Sequence, residues 1–371
     1  MDFSQFFTNL DPMAIGGSAI MIAVGGVLIY LAIAKEYEPV LLLPIGFGCI
    51  LANLGMSAEV EGGMFYYLYK AGIETELFPL LIFVGVGAMI DFRPLLAQPK
   101  MVLLGAAGQF GIYATLILAV LLGMDLPLAA SIGSIGAIDG PTAIFVSSKL
   151  APDYLGPIAV AAYSYMSLIP IIQPPIMKLF TTRKERLIRM EYAPYPLSKQ
   201  VVILFPIVVT ILVSLIAPQA APLIATLMLG NLLKECGVVD RLNKAAQNEI
   251  INISTLFLGL TIGSTMVASK FLNATTLAIL GLGLLAFVID TIAGLLFGKL
   301  MCVLSGHKIN PLIGACGISA FPMAGRLSAK MAQDEDYSNF ILMHAMGANT
   351  AGQLGSVIAG GLLLTLVTML K

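Results

Sequence analysis

The sequence predicts an all-α polytopic membrane protein built from two related halves. Three observations carry this: the composition, the length of the apolar runs, and a gapless internal repeat. Of the 371 residues, 58% are hydrophobic and only 11% charged, with a mean hydropathy of +0.94. Soluble domains carry roughly 25% charged residues. The apolar runs approach the ~20 residues of a membrane crossing and lack the period-two alternation of strands. A net charge of −1 makes no case for a nucleic-acid partner. The cysteines Cys49, Cys236, Cys302 and Cys316 have neither metal-site nor disulfide spacing. There is no tryptophan, so interfacial anchoring falls to Tyr, Lys and Arg, as in the stretch Phe65–Lys70.

In chain order, the first apolar run, Met13–Ala34, follows the acidic Asp2 and Asp11. It lacks the basic n-region of a cleaved signal peptide and reads as a retained membrane helix. Further spans are expected at 39–55, 77–90, 101–123, 157–177, 200–217, 219–233, 250–268, 275–303 and 338–369. The long polar break Lys178–Lys199 holds Lys178, Arg183, Lys184, Arg186, Arg189 and Lys199 against Glu185 and Glu191. By the positive-inside rule it is cytoplasmic. The loop 56–76 carries Glu59, Glu61, Glu74 and Glu76 against Lys70 and fits the outer side. Threading the spans through these assignments puts 91–100 and 234–249 inside and Lys270 outside, makes 128–150 enter and leave on the outer side, and makes 309–331 enter from the inner face. The halves are then repeat one at 14–178, a basic linker at 179–199 and repeat two at 200–371.

The stretches 128–150 and 309–331 differ from the other spans by their glycines and prolines. In the first, Gly136 and Gly140-Pro141 predict a break in the helix, with Asp139 at the break. The run Ile132-Gly133-Ser134-Ile135-Gly136 to Ala143 aligns without gaps on Ile313-Gly314-Ala315-Cys316-Gly317 to Ala324, and the same offset brings Lys149 onto Lys330. Broken segments at matching places in two halves point to a transporter's binding site, and opposite entry sides make the repeat inverted. Both segments are expected to meet near the bilayer midplane, because interrupted backbone at membrane depth must line a cavity or bury in protein.

Asp139 is the leading candidate for chemistry, since a carboxylate at membrane depth is a functional-site hypothesis by default. The second segment aligns Ala320 there, with Ser319 and Asn310 as its nearest oxygen ligands. One carboxylate with neutral oxygens suits a monovalent hard cation such as Na⁺. Burial in low dielectric disfavours a charged carboxylate, so the same group can hold a proton.

The other candidates each admit two readings. Tyr165, or Tyr163 beside it, enters a proton relay or packs as a buried tyrosine. Arg326 neutralises Asp139 or binds an anion, or else it snorkels to the interface. Asn349, Thr350 and Gln353 form a polar face that ligates a cation or makes interhelical hydrogen bonds. Asp290 is a relay member or a structural carboxylate, the structural role being the simpler. Gln173-Pro174-Pro175 reads as a helix end, Asp91 with Arg93 as a juxtamembrane ion pair, and His307 as interfacial. His344 shuttles protons or satisfies a local hydrogen bond.

The blocks IDGPTAIFVSSKLAPDYLGPIAVAAYSYMSLIPIIQPPIMK, NPLIGACGISAFPMAGRLSAKMAQ and FILMHAMGANTAGQLGS resemble one family over nearly the whole chain. It is the β subunit of the sodium-pumping, biotin-dependent decarboxylases acting on oxaloacetate, methylmalonyl-CoA, glutaconyl-CoA or malonate. The resemblance implies a subunit that removes CO₂ from carboxybiotin, couples this to Na⁺ export and consumes a proton. It implies that carboxybiotin is carried on a partner rather than on this chain. Implied partners are biotin-carrier and carboxyltransferase subunits, a small membrane-anchored subunit and further copies of this chain, in the inner cell membrane. The family's functional positions fall on Asp139, Tyr165, Asn310, Gly314, Ser319 and Arg326. With Asn349, the implied Na⁺ ligands are Asp139, Asn310, Gly314 and Ser319, and Arg326 meets the carboxybiotin. The chain lacks the insertion of the family's longer members, as do β subunits serving acyl-CoA substrates. The competing expectation is an autonomous Na⁺-coupled secondary transporter or Na⁺/H⁺ antiporter, whose broken repeats and single carboxylate would look alike.

Overall fold

A computed structural model of the chain describes residues 12–191 and 196–370. Asp2 and Asp11 lie outside the described residues. Among the described residues every regular element is helical. The main helices are α1 (Pro12–Ala34), α2 (Pro39–Asn53), α3 (Leu77–Met89), α4 (Phe110–Leu121), α5 (Leu126–Ser134), α6 (Gly140–Leu150) and α7 (Leu155–Phe180). After the linker come α8 (Lys199–Ile216), α9 (Ala221–Cys236), α10 (Ile251–Ser264), α11 (Ala274–Leu304), α12 (Met323–Glu335) and α13 (Leu342–Leu370).

Six stretches are helical, long and apolar enough to cross a membrane: Gly16–Ala34, Pro99–Leu121, Pro152–Phe180, Lys199–Ile216, Ala274–Leu304 and Leu342–Leu370. The chain is a multi-pass membrane protein. The other expected spans are helices too, but α2, α3, α9 and α10 have only 15, 13, 16 and 14 residues. At ~1.5 Å per residue they fall short of a ~30 Å hydrocarbon core. They pack closely on one another. A Cβ on Gly87 of α3 would lie 1.8 Å from the Leu227 carbonyl oxygen of α9, so glycine alone permits that approach.

The expectation that Gln173-Pro174-Pro175 ends a helix is overturned. Helix α7 continues to Phe180 with Pro170, Pro174 and Pro175 inside it. Proline costs a helix a hydrogen bond, but neighbouring helices re-satisfy freed groups in a membrane bundle. The Gln173 amide pins this stretch by donating to the Ala315 carbonyl at 2.9 Å. The expected Asp91–Arg93 ion pair is also replaced. Arg93 pairs with Glu235 at 2.7 Å, and Asp91 accepts the Arg93 backbone amide instead.

Between α5 and α6 the chain makes a tight turn, Ile135–Ala137, followed by Ile138 in the left-handed region at φ 51° and Asp139 in extended backbone. Gly140-Pro141 then opens α6, where the fixed φ of proline suits the first turn and its missing N–H costs nothing. In the second segment, Asn310 caps the tight helical turn Pro311–Gly317, Ile318 follows in extended backbone, and a turn at Phe321-Pro322 leads into α12. The two segments touch directly. The Ser319 backbone N–H and hydroxyl both donate to the Ala137 carbonyl, at 3.2 and 2.5 Å.

Among the described residues the ion pairs fall into two groups that share no member. Lys149–Glu76, Lys270–Glu59 and Lys270–Asp153 join residues assigned to the outer side. Arg93–Glu235, Arg183–Glu335, Arg186–Glu335, Arg189–Asp336 and Lys299–Glu185 each include a residue assigned to the inner side. The described part of the basic linker is strapped down by this second group. It begins with a capping box between Thr182 and Glu185. Asn310 and Asn339 each donate through Nδ2 to the Arg186 and Ile188 carbonyls.

The strap is acid-sensitive. The hydrogen bond from Arg186 holds Glu335 below the usual carboxylate range, and the hydrogen bond from Arg189 does the same for Asp336. Lowered carboxylates contribute stability that is full above their ordinary values and lost as pH falls through the lowered ones. Limited proteolysis of the linker in detergent should therefore accelerate below about pH 4 and in Glu335→Gln/Asp336→Asn at neutral pH. Equal cleavage of the variant and wild type would remove the strap from consideration. A second prediction concerns Gly317, where a Cβ would lie 2.2 Å from the Leu104 carbonyl oxygen. Gly317→Ala should cost about 1–3 kcal/mol, read as a lowered melting temperature in detergent.

Candidate functional site

Asp139 stands where α6 begins and is only 5% exposed. Oδ2 accepts from Thr142 Oγ1 at 2.7 Å, Ser356 Oγ at 2.8 Å and Gln353 Nε2 at 2.9 Å. Oδ1 receives only a long contact from the Thr142 backbone N–H, at 3.5 Å. Among the described residues no ion pair neutralises it. The helix N-terminus supplies a favourable partial charge, and hydroxyl and amide groups replace the lost water.

Helix α13 supplies most of these groups because Asn349, Gln353 and Ser356 stand four and three residues apart, on one face. Gln353 and Ser356 serve the first segment, and Asn349 serves the second. Asn349 Nδ2 donates to the Ile318 carbonyl at 2.7 Å and to that of Cys316 at 3.3 Å. Those carbonyls can only accept, so the amide orientation is settled. Asn349 Oδ1 is left buried without a partner. The close approach depends on glycine: a Cβ on Gly352 would lie 2.3 Å from the Gly317 carbonyl oxygen, and one on Gly360 2.7 Å from Thr142 Cγ2.

The remaining expected site residues are distributed as follows. Ser319 touches the first segment through Ala137. Gly314 packs on α11, where a Cβ would lie 2.1 Å from the Gly294 carbonyl oxygen. The Asn310 side chain is spent on the Arg186 and Ile188 carbonyls and the Leu312 N–H, not on Asp139. Arg326 is exposed on α12 and joins no ion pair among the described residues.

The two tyrosines, alike in local pattern, separate in space. Tyr163 lies on Gly140, whose added Cβ would meet the ring at 2.1 Å and the hydroxyl at 2.7 Å, and that hydroxyl is buried without a partner. Tyr165 donates its hydroxyl to the Leu280 carbonyl of α11 and packs near Ile135 and Gly283. His344 is buried and engages the backbone at Glu191. Thr350 bonds within its own helix, to the Gly347 carbonyl.

Sequence reading singled out Gln353 but missed Thr142 and Ser356. A signal was available for Ser356, which continues the Asn349–Gln353 stripe at helical spacing. Thr142 stands three residues after Asp139, where a capped helix turns its side chain back.

Among the described residues no group of three His, Cys, Asp or Glu side chains can hold a metal ion. The oxygens near Asp139 are hydroxyl and amide oxygens, and the unpartnered Asn349 Oδ1 belongs to the same helix face. One carboxylate with neutral oxygens fits a monovalent hard cation better than Ca²⁺ or a transition metal.

Comparison with known proteins places the chain in a family. The family described as the Na⁺-transporting oxaloacetate decarboxylase beta subunit matches residues 17–367. The methylmalonyl-CoA decarboxylase subunit beta of Propionigenium modestum is 54% identical, over 94% of this chain and 95% of its own. The glutaconyl-CoA decarboxylase subunit beta of Acidaminococcus fermentans is 52% identical, over 95% and 93%. The oxaloacetate decarboxylase beta chain of Klebsiella pneumoniae is 48% identical, over 97% of both. With a family match along almost its whole length and relatives at this identity, the chain belongs to the beta subunits of the Na⁺-transporting decarboxylases.

Proposed function

We propose that this chain decarboxylates carboxybiotin carried by a partner subunit and uses the reaction to export Na⁺ across the inner cell membrane. The observation that carries the proposal is the Asp139 carboxylate, buried without an ion pair among the described residues and ringed by hydroxyl and amide groups. Asp139, Ser319 and Asn349 are the proposed Na⁺ ligands, completed by hydroxyl oxygens of Thr142 and Ser356. Gly314 and Asn310 act by position: one lets the second segment lie against α11, and the other fastens it to the linker. Tyr165 holds the turn at Ile135 against α11 in the same way. Family membership weighs against an autonomous transporter.

Carboxybiotin, when bound, supplies a carboxyl whose C–N bond breaks to release CO₂. Arg326, exposed on the cytoplasmic side in this reading, attracts that carboxylate from solvent. The ring nitrogen left behind needs a proton. Asp139 holds one in low dielectric and gives it up as Na⁺ takes its place, so the charge of the site stays constant. Coupling requires the ion to bind two arrangements of the bundle unequally. The two segments are read as halves of an inverted repeat meeting near the midplane. The separation of the ion pairs into two groups supports their opposite orientation. The partners in this reading are the carrier and carboxyltransferase subunits, a small membrane-anchored subunit and further copies of the chain. We favour an acyl-CoA parent complex. The alignment with the Klebsiella chain extends over 422 positions, against 376 and 352 with the two CoA relatives.

Two variants of the intact complex test this. Asp139→Asn should abolish Na⁺-stimulated CO₂ release, and undiminished stimulation would refute the assigned site. Ser356→Ala removes a hydrogen bond to a charged group, worth about 1.5–3 kcal/mol. The Na⁺ concentration for half-maximal release should rise about tenfold or more, with less effect at alkaline pH, where proton competition weakens. An unchanged half-saturation would mean that the carboxylate does not hold the ion in this setting.

A further inference from the structure

Asp290 stands in the middle of α11 and is 0% exposed. Its Oδ1 accepts the backbone N–H of Gly111, in the first turn of α4. That N–H has no partner within its own helix, so one oxygen has a structural task. The other does not. Oδ2 is buried with no hydrogen-bond partner, and no ion pair among the described residues includes Asp290.

Glycine lets two backbone segments close directly on this carboxylate. A Cβ on Gly111 would lie 2.6 Å from Asp290 Cγ, and one on Gly136 would lie 3.1 Å from Oδ2. Gly136 belongs to the turn that leads into Asp139. The orphan oxygen therefore lies against the turn that leads into Asp139. One turn along α4 from Gly111, Thr115 is also 0% exposed, and its hydroxyl has no partner. Residues four apart share a helix face. A second unpaired oxygen is thus on the α4 face that meets Asp290.

The elements packed on α11 bring few titratable groups. The helix Val102–Ala107, α5 and the turn at Ile135–Ala137 bring none, α4 brings Tyr113, and the turn Pro311–Gly317 brings Cys316. Helix α7 brings Tyr163, Tyr165 and, at its end, the exposed Lys178. Lys299 of α11 itself is paired with Glu185. Among the described residues no ion pair brings a fixed cation to the carboxylate, and an ionised carboxylate buried alone is far costlier than a neutral one.

We propose that Asp290 is a second cation-exchanging carboxyl of this protein. It carries a proton on Oδ2 and releases it when Na⁺ takes its place beside the Thr115 hydroxyl. The O–H bond breaks heterolytically, the electron pair stays on Oδ2 and the proton leaves on a water of the incoming ion. The charge of the site is the same before and after. The inference rests on the Na⁺ reading of Asp139, because it is that reading that brings the ion to this segment.

Infrared difference spectra of the intact complex, recorded in Na⁺ minus K⁺, test the exchange without relying on turnover. The wild type should lose protonated-carboxyl absorption in Na⁺. Asp290→Asn keeps an acceptor for the Gly111 N–H and should lack one component of that loss, while Asp139→Asn lacks the other. If Asp290→Asn retains every component, Asp290 is a permanent structural acid and the proposal fails while the Asp139 reading stands. If Asp139→Asn also retains them all, the Asp139 reading fails with it. Should Asp290→Asn not assemble, Thr115→Val should raise the Na⁺ concentration needed for the Asp290 component, and an unshifted concentration overturns the proposal.

Discussion

A carboxylate removed from water must be solvated by something else, and the arrangement around Asp139 follows from that need. No lysine or arginine among the described residues pairs with it. Three donors on Oδ2 and the N-terminus of α6 take over from solvent. Hydrogen bonds to a charged group are stronger than neutral ones, and each donor withheld would leave part of the desolvation cost uncovered. A permanent guanidinium there would have fixed the charge of the site. Neutral donors leave it open to exchange.

The donors reach Asp139 only because the backbones come very close. Helix α13 runs past both segments, with Gly352 against Gly317 and Gly360 against Thr142. In lipid, helices gain little from hiding apolar side chains from one another, so packing of small residues and interhelical hydrogen bonds carry association. The Gln109 amide shows the second kind of tie, donating to the Gly105, Gly317 and Gly352 carbonyls at 3.1, 3.0 and 3.3 Å. The second segment is thus held by the Gln109, Gln173 and Asn349 amides, and the first by two hydroxyls and the Gln353 amide.

At the other end of the second segment the linker is bound by charge. Arg183 and Arg186 share Glu335, and Arg189 takes Asp336. The basic stretch after α7 is thereby attached to the element that carries Arg326. Movement of that element would be felt by the linker, and carboxylates held by arginine make the attachment depend on ionisation.

The sequence by itself determined the helical class, the places of the helices, the two Gly/Pro-rich segments and the placing of Asp139 at a helix break. These are local or periodic properties: hydropathy, the helix-breaking chemistry of Gly140-Pro141, and a repeat visible along the chain. It also carried the family likeness in the blocks around Asp139, Asn310 and Asn349. Tertiary structure alone decided which oxygens meet. Ser356 and Thr142 on Oδ2, Asn310 on the linker, Tyr163 rather than Tyr165 against Gly140, and the continuation of α7 through its prolines all depend on contacts far apart in sequence or on side-chain direction. Helical spacing says which residues share a face. Only the packed helices say which neighbour that face meets, because a close backbone approach at Gly352 or Gly360 turns a stripe of polar residues into hydrogen-bond partners.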